Sequence, residues 1–262
     1  MSLDDSTTAD MPVTDSATLA APAAAEPDIA PPRRARTTAA QRIAEAGEPT
    51  GREKLYRQHI FSANHFAELS QVLEGRGADD LSAEEKWRHR AYVIGSVFSA
   101  SGFLEASINE LYLELQNLSQ SGHPRLPPRE LALLLRVWPD VVGSPVLHKY
   151  QVALSISDAD NYDESRPPYV DADSLLRLRD GLLSCTPDWD DSRGRHRTLE
   201  KRLRTKFAPS ALAPPSTPWF PDRCLGAGCA KWAVRTAQAF SDDFCRRMGI
   251  PARARVGREG AV

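Results

Sequence analysis

An arginine on an apolar helix face cannot shed its charge, so it needs an acid or several acceptors around it. Arg179 is such a residue. A helix is expected over about residues 171–185, opened by Asp171 or Asp173 and closed before Pro187. At about 100° per residue, Leu175, Leu176, Leu178, Leu182 and Leu183 share one arc of about 160°, with Arg179 near its middle. Arg177 falls on the opposite, solvent side. Two chemistries fit Arg179. It is a structural arginine paired to a core-facing carboxylate such as Glu105 or Glu110, or it is held at a cleft or interface to contact phosphate. In the first case Arg179 is expected to be largely buried. Asp180 beside it points partly outward and could orient it.

A second candidate is the basic segment. Arg193, Arg195, Arg197, Lys201, Arg202, Arg204 and Lys206 stand against one acid, Glu200. Arg195, Arg197, Lys201, Arg202 and Arg204 would suit phosphate contacts that set affinity without reading base sequence. A solvated helix face explains the same pattern. Phe207 is the only aromatic nearby, so a stacking platform for single strands is not expected. Cys224, Cys229 and Cys245 do not make two closely spaced ligand pairs and have no close His, so buried thiols are expected and no metal. Gly226 and Gly228 follow no strand and precede no Lys-Ser/Thr, which argues against a nucleotide loop. No cofactor is expected.

The elements that must position these residues are helical. The strongest helix spans about residues 83–118, where Trp87, Tyr92, Ile94, Val97, Phe98, Phe103, Leu104, Ile108, Leu111 and Leu115 recur mostly in steps of three and four. Ser82 three residues before Glu85 has the spacing of a capping box. Further helices are expected at 52–74, 129–137, 145–157, 195–207 and 225–248. The last places Ala233, Ala237, Phe240, Phe244 and Met248 on one face, to be buried with the long helix, and Phe98 and Phe240 are expected in that shared core. Residues 208–221 hold five prolines and cannot be regular helix. Period-two alternation is absent, so the fold class is an all-α helical bundle.

The organisation expected is a disordered tail over residues 1–48, a helical domain over 49–252, and a basic flexible C-terminus over 253–262. The tail's Ala, Pro, Thr and Asp offer no apolar face to offset the entropy of ordering. Net charge is −2 over 262 residues, so the chain as a whole is no polyanion binder. No Lys or Arg precedes Arg33, and the longest uncharged stretch outside the Pro-rich segments, Ala91–Leu104, is short for a bilayer. With sparse cysteines, these features lead to the expectation of a cytoplasmic protein.

The run Leu176-Arg177-Leu178-Arg179-Asp180 near a helix end resembles the HEPN superfamily of helical proteins. The order of parts fits as well. Phe103-Leu104-Glu105-Ala106-Ser107-Ile108-Asn109-Glu110-Leu111 lies in a long helix, a loop and the Arg-bearing helix follow, and Pro187-Asp188-Trp189 comes next. The resemblance covers roughly residues 85–248. In the ribonuclease members, Arg is followed by Asn or Asp and then by His after four to six intervening residues. The resemblance therefore implies dimerisation through the Arg179 helix and metal-independent RNA cleavage by the ribose 2′-hydroxyl across the dimer interface. This chain departs at one place. Where the His should fall it has Ser184, Cys185 and Thr186, none of which moves protons near neutral pH as imidazole does. Losing that group costs roughly two to four orders of magnitude in rate. The resemblance implies a HEPN-like binding or regulatory module with a degraded catalytic motif (Arg179, Asp180, Ser184), contacting RNA or a protein partner. The alternatives are an active toxin-type endoribonuclease using Arg179 with an unconventional base, His148 or His196 being nearest in sequence, and a purely structural interaction protein.

Overall fold

The computed structural model describes residues 54–121, 127–184 and 195–253, with the backbone alone at 116–121 and 195–196. The expected tail at 1–48, residues 254–262, and Cys185 and Thr186 lie outside the described residues. Seven α-helices and one short wide turn make up the described regular structure, and no strand occurs among these residues. The helices are α1 (Leu55–Glu74), α2 (Ala83–Ser121), α3 (Pro128–Val141), α4 (Val146–Ile156), α5 (Tyr169–Leu183), α6 (Arg195–Leu203) and α7 (Ala227–Arg247). The wide turn, Trp219–Arg223, precedes α7. The protein is an all-α bundle.

The Ser82–Glu85 capping box starts α2. Glu85 Nα–H donates to Ser82 Oγ at 3.2 Å, and Ser82 Nα–H donates back to Glu85 Oε2 at 2.9 Å. These bonds and Arg76 hold the Glu85 carboxyl down to about 2. α1 and α2 pack antiparallel: the Glu74 carboxylate meets His89 at one end, and Gly102 lies against the His59 ring towards the other. α7 closes the sector between them. Ser96 on α2 donates to Ala63 O of α1 at 2.9 Å and lies 3.4 Å from Ala230 O of α7. α2 and α7 are thus buried against each other, as their aromatic spacing predicts. Phe240 is fully buried, whereas Phe98 is only half-buried and lies outside the core. Phe103, on the opposite side of α2, is the fully buried phenylalanine there. By length and composition α2 could cross a membrane, and half of its most apolar window is buried inside the protein.

α3 runs through Pro139 to Val141, four residues beyond the expected end, and the Trp138 ring stacks on Tyr112 of α2 at 4.4 Å. On α4, Tyr150 donates to Leu104 O at 2.7 Å and sets its ring edge-on to Phe240 and Phe244 of α7. α6 docks on α5 by burying Leu199 and Leu203.

The Pro-rich segment after α6 straps the start of α7. Ser210 Nα–H donates to Arg223 O at 2.7 Å, and a Cβ at Gly226 would stand 2.6 Å from Ser210 Cα. A Cβ at Gly228 would stand 2.9 Å from Ala208 O. These glycines therefore admit the strap. Gly226→Ala is expected to destabilise the protein by about 1–3 kcal/mol, read by denaturant unfolding, because the obstacle is backbone and cannot rotate away.

Candidate functional site

Arg179 faces a cleft of about 870 Å³. Its walls come from Glu105 on α2, the Gly143–Val146 connection, His148 and Gln151 on α4, Asn161 and Glu164, and Tyr169, Asp173, Arg177, Arg179 and Asp180 on α5. α5 puts Arg179 there because its neighbours Leu175, Leu176 and Leu178 are buried and fix the helix rotation. Arg179 Nε donates to Asp180 Oδ1 at 2.9 Å, and its Nη1 stands 3.8 Å from Glu105 Oε2. The expected pairing with Glu105 is present as an ion pair too long for a hydrogen bond.

The expected degree of burial is not. The Arg179 side chain keeps 23% of its surface exposed, because the apolar arc ends at the cleft. Leu182 is half-buried and Leu183 is 67% exposed, so the C-terminal turn of α5 leaves the core. Arg177 points to solvent and pairs with Asp173 at 2.9 Å. Arg179→Ala is accordingly expected to cost only about 0–1 kcal/mol in stability, measured by thermal or urea unfolding, since half-exposed ion pairs contribute little.

Ser184 ends α5. Its hydroxyl donates to Asp180 O at 2.7 Å, and it is not part of the cleft wall. His148, exposed at the start of α4, does line the cleft. The side chain of His196 lies outside the described residues. Behind the cleft sits Lys149, 2% exposed, donating to Asn109 Oδ1 at 3.0 Å and lying 3.9 Å from Glu105 Oε1. Glu105 is therefore shared between a buried lysine and Arg179. Sequence reasoning missed Lys149, and the one signal for it is a cation among the apolar residues Val146, Leu147, Tyr150 and Ala153.

The basic segment meets the cleft wall at Asp173 and is largely occupied. Arg202 donates to Asp173 Oδ2 at 2.6 Å and to Ser174 Oγ at 3.2 Å, so it fastens α6 to α5. Lys206 pairs with Asp171 at 2.7 Å, and Arg204 pairs with Glu200. Arg197 and Lys201 are exposed, and the Arg195 side chain lies outside the described residues. Cys224, Cys229 and Cys245 are buried free thiols; the hydrogen bond with Cys224, and then burial, push the Cys229 thiol up, and burial raises the Cys245 thiol. Among the described residues no group of three or more His, Cys, Asp or Glu could hold a metal ion.

The fold and cleft define a helical bundle with a charged groove beside its long central helix. No family model matches this chain, and no solved structure matches it. Over 119 residues it is 31% identical to DNA polymerase eta of Arabidopsis thaliana, a match covering 45% of this chain and 16% of that protein. The chain thus spans about a sixth of the length of the curated relative it matches.

Proposed function

We propose that this chain is a HEPN-like helical binding module, cytoplasmic and catalytically degraded, that uses the Arg179 cleft to hold RNA without cutting it. One observation carries the reading. Arg179 and Asp180 face an open cleft, while Ser184, at the position where the resemblance requires an imidazole, bonds its own helix and stays outside the cleft wall. A guanidinium aimed at such a space can meet a phosphodiester with paired N–H donors. The carboxylates of Asp180 and Glu105 hold it in place until a ligand competes for it. Binding without cleavage follows from a phosphate-facing cation that lacks a proton-transfer partner at position 184. The test is titration of a single-stranded RNA into the purified chain at several salt concentrations. Affinity should fall as salt rises and fall again in Arg179→Ala, with the RNA recovered intact.

A second reading is favoured by the position of His148. Its imidazole lines the same cleft as Arg179. In an active endoribonuclease it would take the proton from the ribose 2′-hydroxyl. The oxygen would then attack the adjacent phosphorus, Arg179 would stabilise the added negative charge, and the 5′-oxygen would leave and take a proton from water. Recovery of 2′,3′-cyclic phosphate ends, lost in both His148→Ala and Arg179→Ala, would select this reading.

A further inference from the structure

Lys149 is a buried cation behind the Arg179 cleft, 2% exposed and not part of the cleft wall. Its neighbours Val146, Leu147, Tyr150, Ala153 and Leu154 are buried and fix the rotation of α4, which turns Lys149 inward. An ammonium carries three N–H donors and is costly to bury unpaired. Among the described residues, Lys149 Nζ makes one hydrogen bond, to Asn109 Oδ1 at 3.0 Å. It also stands 5.9 Å from the centre of the Trp138 ring and 3.9 Å from Glu105 Oε1. Glu105 and Asn109 lie one turn apart on α2, so both present themselves to the same cation.

The Glu105 carboxylate is divided between two cations. Its Oε1 faces Lys149, and its Oε2 faces Arg179 Nη1 at 3.8 Å. Neither gap is closed to a hydrogen bond. The Glu105 side chain is 46% exposed, so the packing does not pin it to either partner. Arg179 Nε and Nη2 are taken by Asp180 Oδ1, at 2.9 and 2.8 Å, whereas Nη1 has no hydrogen bond among the described residues.

We infer that Lys149 is a positioning residue that sets how strongly the Arg179 cleft takes a phosphodiester, by competing with Arg179 for Glu105. While Lys149 draws Oε1 back, Arg179 Nη1 stays open to a phosphate oxygen. Without Lys149, the Glu105 carboxylate closes on Arg179 and occupies that donor. The charges act in the same direction. Lys149 and Arg179 together balance Glu105 and Asp180, but Arg179 alone faces two carboxylates, and an incoming phosphate meets net negative charge. The inference takes its ligand from the RNA-binding reading of the cleft, and its geometry from the three side chains alone.

Lys149→Met in the full chain tests it. Methionine removes the charge and fills much of the same volume, and exchanging a buried charge for an apolar side chain is often tolerated. Titrated with a labelled single-stranded oligouridine, Lys149→Met should bind roughly five- to tenfold more weakly than wild type. Adding Glu105→Gln to the same chain should return the affinity to within about threefold of wild type, because the carboxylate that closed on Arg179 is gone. A merely structural role for Lys149 gives no such rescue. The state of Arg179 is read without RNA from the rate at which phenylglyoxal labels it, mapped on its peptide. That rate should fall about threefold or more in Lys149→Met and recover in the double variant. Lys149→Gln, which keeps a donor for Asn109, gives the same readings should Lys149→Met fail to fold. A folded Lys149 variant whose Arg179 labels at the wild-type rate overturns the inference. So does an RNA affinity equal to that of a wild type that binds, or a loss that Glu105→Gln does not restore. If the wild type binds no RNA, the cleft reading falls and labelling alone decides the role of Lys149: slowing and recovery support it, and an unchanged rate overturns it.

Discussion

Glu74→Ala should destabilise the protein by about 3–5 kcal/mol, because the carboxylate it removes bonds α2, the strap and the start of α7 at one point. Glu74 ends α1. It lies 2.9 Å from His89 Nε2 on α2, accepts the Ala211 Nα–H of the strap at 2.7 Å, and accepts the Ala227 Nα–H at the first residue of α7. The last contact places a negative charge at a helix N-terminus, where unpaired N–H groups and the helix dipole favour it. With Glu74 gone, His89, 3% exposed, would lose its charged partner, and two backbone donors would lose their acceptor.

Glu74 also sets an acid limit. Burial opposes its charge, but the bonds from His89, Ala227 and Ala211 outweigh burial and hold the carboxyl below its ordinary value of 4.5. A carboxyl lowered in the folded state contributes stability above the unfolded value and loses it as pH falls through the folded one. Urea midpoints taken between pH 7 and pH 3 should therefore drop at the acid end in the wild type, and drop less in Glu74→Gln. Equal slopes in the two proteins would show that Glu74 is not the group responsible. The alkaline limit has the opposite sign. Burial pushes the Tyr112 phenol up to about 12 and raises Tyr150 and Tyr162 as well. These groups stabilise the fold below the unfolded tyrosine value, and the contribution is lost as pH rises towards the folded values.

Phe240→Ala should cost about 3–5 kcal/mol. Phe240 is fully buried on α7, with the Tyr162 ring stacked at 4.9 Å and the Tyr150 ring edge-on at 4.9 Å. Removing it would open a cavity that Tyr150 cannot fill, because its hydroxyl is bonded to Leu104 O. Phe98→Ala is the contrast. Its ring lies outside the core, and about 1 kcal/mol or less is expected on chemical denaturation. Comparable losses for the two variants would place Phe98 in the core.

Helix positions were legible because each rests on local spacing. The capping box at Ser82 and Glu85, Pro128 at the first turn of α3 and the three–four rhythm of α2 are all read within a few residues. What depends on residues far apart was not legible. Periodicity placed Arg179 on the apolar side of α5, but it could not say that the core ends at a cleft before Leu183. Charge density made α6 look like a phosphate surface, yet Asp171 and Asp173 on α5 take up Lys206 and Arg202. Those acids appeared in the sequence only as helix-opening residues. Glu74 drew no notice, since nothing near it in sequence announces the N–H groups of Ala211 and Ala227. His148 was noted for its residue type, and its place in the cleft depends on how α4 and α5 pack.

If the Arg179 cleft binds RNA and lacks the group that would cut it, incubation of labelled single-stranded RNA with highly purified wild type, Arg179→Ala and Ser184→His will separate binding from cleavage. Bound fraction and product ends are read from the same samples. The wild type should retain intact RNA, Arg179→Ala should retain less with its fold unchanged, and Ser184→His should gain cleavage that disappears when Arg179 is also replaced. Cleavage by the wild type that is abolished in a folded Arg179→Ala would contradict binding without cleavage.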